Sequence, residues 1–286
     1  MDAGIAAMQA GDYEQARALL ATPAETGNAR AQHFLGMNYH YGWGGPADKP
    51  RALELFKASA EAGSARSQAM LGAIYAAGDG VTTSGEKAVR WYETAAAGGM
   101  PSAAHNLGVI YQEGRLVEKD AARAAMWTEK AAEAGLARSQ FNLGLAYARG
   151  IGVEKDDKAA SQWLLKAAKQ GLPAAQAELG WMYAMGRGLD QSTSEAVYWH
   201  AVAARQGYKQ AIKDINTFLK NLGEYRVDRG VIDIYPGPDQ SRASIGQFHQ
   251  GDRVYQLHAA KGWAEVYHPD SHLTGFIEKA ALKRVE

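Results

Sequence analysis

Residues 139–171 read SQFNLGLAYARGIGVEKDDKAASQWLLKAAKQG, and this stretch decides the fold. Its Leu143-Gly144 pair is one of five. The others are Leu35-Gly36, Leu71-Gly72, Leu107-Gly108 and Leu179-Gly180, spaced throughout at 36 residues. A fixed period of that length marks a solenoid, in which one small unit is stacked on copies of itself.

The remaining columns keep the same phase. Tyr39, Tyr75, Tyr111, Tyr147 and Tyr183 follow the Leu by one helical turn, on the same face. Gly42, Gly78, Gly114, Gly150 and Gly186 stand where a helix needs a left-handed C-terminal residue. Asp12, Asp48, Ser84, Asp120, Asp156 and Ser192 are all good N-caps for a second helix. Ala16, Ala52, Ala88, Ala124, Ala160 and Ala196 lie one turn inside it. Trp91, Trp127, Trp163 and Trp199 follow, with Leu55 in their place earlier, and Gly27, Gly63, Gly99, Gly135, Gly171 and Gly207 close the unit. Each unit is therefore helix, Gly-containing loop, helix, Gly. The Gly after each Leu is mid-helix, where it costs about 1 kcal/mol relative to Ala. The expected reason is close approach of two helix backbones, with the alanine column opposite.

The frame A-x-x-x-L-G-x-x-Y-x-x-G-x-G-V, followed by D-x-x-x-A-x-x-W-x-x-K-A-A-x-x-G, resembles the Sel1-like repeat family. Residues 139–171 fit it nearly throughout. Departures are local: Ser at 84 and 192 for the capping Asp, and Leu116 for the second loop Gly. The Cys pairs of some family members are absent. The resemblance implies a TPR-related, right-handed α-α superhelical solenoid with a concave protein-binding side.

After Gly207 the pattern stops. Lys209 to Leu222 still reads as a helix, with Ala211, Ile212, Ile215, Phe218, Leu219 and Leu222 on one face, and is expected to cap the stack. From Tyr225 the helical period gives way to short β-type runs, punctuated by Pro236-Gly237-Pro238, Gly251-Asp252 and His268-Pro269-Asp270. The marks Ile232-Asp233-Ile234, Gly237-Pro238, Ile245-Gly246, Gly251-Asp252, Gly262-Trp263, Val266, Gly275-Phe276-Ile277 and Leu282 resemble a bacterial SH3-like domain. Tyr235 stands where that family often has Arg, and Phe276 where it often has Trp. The resemblance implies a small β-barrel that binds cell-wall peptides or envelope proteins, with Tyr235, Trp263 and Phe276 as its candidate surface. The expected layout is multidomain α plus β: an N-terminal partial repeat or cap at 1–27, five repeats at 28–207, a capping helix at 208–223 and the SH3-like domain at 225–286.

Composition excludes several functions. Among 286 residues, 31 basic and 31 acidic side chains balance, so there is no electrostatic footprint for nucleic acid. No apolar run approaches the roughly 20 residues that span a bilayer. With no cysteine there are no disulfides, no thiol catalysis and no Cys-ligated zinc. Residues 80–85 resemble the start of a phosphate-binding loop, but Glu86 stands where Lys must contact phosphate. His33 and His40 share a helix face, and His268 and His272 flank a turn, yet neither pair has a third ligand at metal-site spacing. No Gly-x-Ser-x-Gly or His-Glu-x-x-His occurs. The reading is of a non-enzyme without a cofactor.

If Leu35, Gly36 and Tyr39 face neighbouring helices, positions 33, 37, 40 and 41 lie on the other side, taken as concave by analogy with related helical-repeat proteins. Reading those columns gives a candidate groove: His33, Met37, His40 and Tyr41; then small Ala69, Ala73, Ala76 and Ala77; then His105, Val109, Gln112 and Glu113; then Phe141, Leu145 and Arg149; then Trp181 and Met185. Trp181 beside Met and Phe is the natural hot spot. The competing reading is that these side chains pack on the adjacent repeat or the terminal cap. The expected function is a protein-interaction scaffold or adaptor of the bacterial envelope, its solenoid holding a protein and its C-terminal domain a wall peptide or second protein. The alternatives are a regulator or inhibitor of a peptidoglycan-processing enzyme, and a peptidoglycan-binding protein. The repeat register reaches nearly to the first residue, so a removed leader and a periplasmic or secreted location are expected; a cytoplasmic one stays open.

Overall fold

The computed structural model describes residues 1–220 and 222–285. Asn221, in the expected capping segment, and Glu286, at the end of the expected barrel, lie outside them. Among the described residues thirteen helices come first: α1 (Asp2–Gln9), α2 (Tyr13–Glu25), α3 (Ala29–Tyr41), α4 (Lys49–Glu61), α5 (Ala65–Ala77), α6 (Gly85–Ala97), α7 (Pro101–Glu113), α8 (Ala121–Glu133), α9 (Ala137–Arg149), α10 (Asp157–Lys169), α11 (Pro173–Met185), α12 (Thr193–Arg205) and α13 (Lys209–Leu219). Seven strands follow: β1 (Glu224–Val227), β2 (Val231–Ile234), β3 (Gly246–His249), β4 (Arg253–Ala260), β5 (Trp263–His268), β6 (Leu273–Glu278) and β7 (Leu282–Arg284). The chain divides into two compact units, residues 1–139 with 151–153, and residues 140–150 with 154–286.

Within each unit the repeat is built by the same few contacts. The first helix ends on a Gly in the left-handed region, at φ 70° for Gly42 and Gly78 and 69° for Gly114. The cap residue of the second helix then closes the loop. Its N–H donates to the Tyr carbonyl, at 2.8 Å for Asp48 on Tyr39 and 3.0 Å for Asp120 on Tyr111, Asp156 on Tyr147 and Ser192 on Tyr183. Its side chain accepts from the helix's first turn, as in Asp120 from the Arg123 N–H at 2.9 Å and Asp156 from the Ala159 N–H at 2.9 Å.

The mid-helix Gly gives the expected close approach of two helix backbones, but its nearest partner is a side chain rather than the alanine column. A Cβ on Gly36 would come within 2.9 Å of the Phe56 ring; on Gly72, 2.8 Å from Tyr92; on Gly108, 2.5 Å from the Thr128 hydroxyl; on Gly144, 2.8 Å from Leu164; on Gly180, 2.2 Å from the His200 imidazole. The Gly thus receives the side chain standing 20 positions later, not the alanine column. The alanines contribute only a backbone carbonyl behind it, as Ala160 does 3.2 Å from Gly144 and Ala196 3.0 Å from Gly180.

The N-terminal segment expected as a partial repeat contains both helices of a pair. Gly4 takes the packing role, its Cβ position 2.8 Å from Leu20. The α1–α2 connection is only residues 10–12, against 42–48 between α3 and α4, so Gly4 falls out of the 36-residue phase.

At the C-terminal end of the second unit, β6-β5-β4-β1-β7 form an antiparallel sheet and β2-β3 a second one. Paired backbone bonds between Tyr235 and Phe276, of 2.9 and 2.8 Å, bridge the two. Val227, Ile234, Phe248, Val254, Ala264, Val266 and Ile277 bury a shared core. No closed barrel is shown among the described residues. The sheet is joined to the helices by packing: Tyr267, 1% exposed, sits in one cluster with Val197, Ala201, Ala211, Ile215 and Leu219, flanked by Tyr255 and Leu257.

The Gly packing predicts the outcome of a double-mutant cycle. Gly144→Ala gains about 1 kcal/mol of helix propensity and loses about 1–3 kcal/mol to overpacking against Leu164. In a Leu164→Ala background the overpacking against Leu164 vanishes, leaving only the Ala160 carbonyl at 3.2 Å. Urea unfolding of the four proteins is expected to show the Gly144→Ala penalty shrinking or reversing there; equal penalties in both backgrounds would refute the contact.

Candidate functional site

The groove residues of the first unit divide sharply. His33 is 7% exposed and His40 8%. The His33 Nδ1 lies 2.9 Å from the Ser67 hydroxyl, which donates to Ser59 at 2.7 Å, which donates to the Ala29 carbonyl at 2.7 Å. A carbonyl only accepts, so every hydrogen in this chain is directed, and His33 must carry its proton on Nδ1. Burial, and secondarily the charge of Arg66, hold its pKa down to about 4. The same pairing recurs where His105 meets the Ser139 hydroxyl at 2.8 Å, its pKa also lowered by burial and then by Arg138. Across the repeats the first column reads His33, Ala69, His105, Phe141, Ala177; the column 34 residues later reads Ser67, Ala103, Ser139, Ala175. A Ser appears only where a His precedes it, a signal the sequence carried and the column reading missed.

His40 pairs with Asp79 at 3.1 Å, and Lys49 binds the same carboxylate. Met37 is half-buried against the core around Phe56 and Leu71. Tyr41 is 51% exposed and stacks on Trp43, which stacks on Tyr13. Val109 is half-buried, while Gln112 and Glu113 are exposed.

In the second unit Trp181 is engaged by the cap. Its indole N–H donates to Asp214 of α13 at 3.1 Å, and its ring meets Phe218 edge-on with centroids 5.0 Å apart. Asp214 also faces the His200 Nε2 at 3.5 Å and accepts from Gln210 at 2.9 Å. This is the packing on the terminal cap that competed with the hot-spot reading. Phe141 packs on the core around Leu164 and Leu179, and Leu145 is half-buried. Arg149 and Met185 are exposed, Met185 by 60%.

The exposed members share one column. Tyr41, Ala77, Glu113, Arg149 and Met185 each end the first helix of their repeat, and all are exposed. A buried column missed on the sequence is that of Gln32, Gln68 and Gln176, each of which donates from the side-chain amide to a carbonyl eight residues earlier, all at 3.1 Å. These bonds tie the first, second and fifth repeats to the helix before them.

The candidate residues of the sheet region come together. Tyr235 and Phe276 are backbone-bridged, and the Tyr235 ring meets Trp263 edge-on at 5.7 Å. His268 holds the Ser271 hydroxyl at 2.9 Å and His272 the Tyr267 hydroxyl at 2.7 Å, which orders the turn between them. Among the described residues no group of three or more His, Asp or Glu is placed to hold a metal, and no helix is long and apolar enough to cross a membrane.

The profile of the Sel1 repeat matches residues 29–64, 65–100, 101–136, 137–172 and 173–208. The chain is similar to a Sel1 repeat protein from Oxalobacter formigenes, at 33% identity over 76% of this chain and 90% of that one, with a TM-score of 0.70. It is also similar to a protective antigen with an SLR fold from uropathogenic Escherichia coli strains, at 38% identity over 73% of this chain and 45% of that one, with a TM-score of 0.63. No curated protein matches.

The buried imidazole gives a pH dependence of known sign. His33 is protonated near pH 4 when folded and near 6.5 when unfolded, so its contribution is complete above pH 6.5 and is lost as pH falls toward 4. Between pH 7 and 4.5 the intact chain is expected to lose about 2–3 kcal/mol more stability than a His33→Gln variant in urea melts. Parallel losses in the two proteins would show that His33 is not the group responsible.

Proposed function

We propose, from the fact that the chain belongs to the Sel1-repeat family, that it is a non-enzymatic adaptor that holds a protein partner along its repeats. Sel1-repeat proteins generally mediate protein–protein interactions, and one observation carries the reading to particular residues. The Leu-Gly, Tyr, left-handed Gly and capping Asp/Ser columns keep their chemistry, while the exposed column that ends each first helix does not: it runs Tyr41, Ala77, Glu113, Arg149, Met185. An aromatic ring, an acid, a guanidinium and a flexible thioether on otherwise repeated frames are suited to recognise one particular surface rather than to support the fold.

The recognition surface proposed here includes Gln112 with that column, and Tyr41 with the Trp43 and Tyr13 rings behind it. In the first unit His33, His40, His105, Met37 and Val109 stand beside the proposed residues Tyr41, Gln112 and Glu113, and in the second Phe141, Leu145 and Trp181 stand beside Arg149 and Met185. Tyr235, Trp263 and Phe276 form a second surface, on a C-terminal domain of SH3-like kind, for a wall peptide or a second protein. An envelope location follows from that resemblance, and the description of a similar protein as a protective antigen agrees with it.

The experiment is a pull-down from envelope extract with the intact protein beside a Tyr41→Ser, Glu113→Lys, Arg149→Glu, Met185→Ser variant. All four changes are at exposed positions, so the helical circular dichroism is expected to stay constant while the partner is lost. Partners retained equally by both proteins would move recognition away from this column. A Tyr235→Ala, Trp263→Ala variant, assayed for sedimentation with purified peptidoglycan, tests the second surface separately.

A further inference from the structure

A cleft of about 520 Å³ lies between α12 and the sheet region, inside the second compact unit. Glu195, Tyr198 and Arg205 line one side; Glu265, Thr274, Phe276, Ile245 and Pro236 are among those lining the other. The three α12 residues follow a spacing of three and seven, which places them on one helical face. At 1.5 Å per residue, Glu195 and Arg205 are about 15 Å apart along that face, with Tyr198 between them. The opposite wall is the face of β5 and β6 on which Glu265 and Phe276 stand as cross-strand partners.

The charges are polarised. Glu195 and Glu265 occupy the negative end, and among the described residues neither ion-pairs with a lysine or arginine. Burial raises the Glu265 pKa; a Ser194 hydrogen bond and His258 oppose the rise, and the charge of Glu195 adds to it. Glu195 alone is explained by its place in the first turn of α12, where a carboxylate suits the helix N-terminus. A second carboxylate facing it across a half-buried cleft is not, and it leaves negative charge that a cation would balance. At the other end Arg205 is exposed, and its charge reaches His272. Between the ends the surface is apolar and open, with Tyr198 40% and Ile245 47% exposed.

We infer that this cleft binds a short extended peptide segment, with a Lys or Arg side chain between Glu195 and Glu265 and a carboxylate at Arg205. An extended chain rises about 3.3 Å per residue, so about five residues reach from one end to the other. The ammonium or guanidinium sits between two carboxylates beside the Tyr198 and Phe276 rings, whose faces attract cations. The apolar middle of the peptide covers Ile245 and Pro236. The site is composite, because neither α12 nor the sheet region makes it alone. It shares no residue with the exposed column proposed above; it shares Phe276 with the second proposed surface and to that extent rests on that reading.

The test is fluorescence anisotropy of the intact protein with labelled pentapeptides Xaa-Thr-Val-Thr-Zaa, terminally blocked, in which the end residues are Lys and Glu, Glu and Lys, Gln and Gln, or Glu and Glu. Both mixed-charge orders are included because the chain direction is free to reverse. A mixed-charge peptide is expected to bind roughly five- to tenfold tighter than the Gln peptide, the Glu-Glu peptide more weakly than the Gln one. Glu195→Gln with Glu265→Gln is expected to abolish the Lys preference and Arg205→Gln the Glu preference, with unchanged circular dichroism. Failure of every peptide to bind, equal binding of all four, or a preference that survives in the Gln variants would overturn the inference. The pull-down with the Tyr41, Glu113, Arg149 and Met185 variant reads the other surface, so the two readings fail separately.

Discussion

The repeats hold together because one helix gives up a Cβ and the next fills the space. Without a side chain at Gly36, Gly72, Gly108, Gly144 or Gly180, the second helix of the unit lays Phe56, Tyr92, Thr128, Leu164 or His200 directly on the first. The filling residue varies in size and polarity; the Gly does not, because any Cβ there would fall inside the neighbour's contact distance. The helix propensity lost at each Gly, about 1 kcal/mol, is offset by dispersion contacts and burial along the whole helix pair. The Tyr carbonyl accepting from the capping N–H then fixes where the second helix starts. Close approach and loop closure together set the pair geometry before any exposed residue is chosen.

Polar groups inside such thin layers must find partners within the repeat or in the next one. The His33–Ser67–Ser59 chain and the Gln amides bonded eight residues back are two answers to that demand. Both run between consecutive helix pairs, so they tie neighbour to neighbour. They also account for histidines that, on the sequence, stand out as free functional groups. An imidazole whose pKa is held near 4 by burial is neutral at physiological pH and directed into the fold, which suits it to holding a repeat in register.

The sheet region is not an appendage on a flexible tether. Tyr267, Tyr255 and Leu257 complete the core that α13 begins, so the last apolar face of the helices is covered jointly by a helix and by a sheet. A cap made this way brings β5 and β6 up against α12, and the mixed-charge cleft is a consequence of that docking. It also means that removing residues 225–286 would expose core as well as remove a surface, so point substitutions separate the two proposed surfaces more cleanly than deletion.

The period of 36, the capping Asp and Ser column, the left-handed Gly column and the alternation after Tyr225 were all readable from residue order, since each reflects a local backbone requirement that recurs wherever the unit recurs. The exposed Tyr41, Glu113, Arg149 and Met185 were readable too, as positions. The partner of each mid-helix Gly was not, because the contact is 20 residues away and its filler changes identity. The commitment of His33 and His105 was legible only as a pairing of columns 34 residues apart, and that of Trp181 was one of two open readings until Asp214 of α13, outside the repeat pattern, was seen to bond it. Gly4 was hidden by a shorter loop that moved it out of phase. By itself the sequence determined the unit and its repetition, because caps, turns and periodicity act over a few residues. Only the tertiary structure decided which polar side chains are spent inside and which remain free, because that depends on what packing brings from elsewhere in the chain.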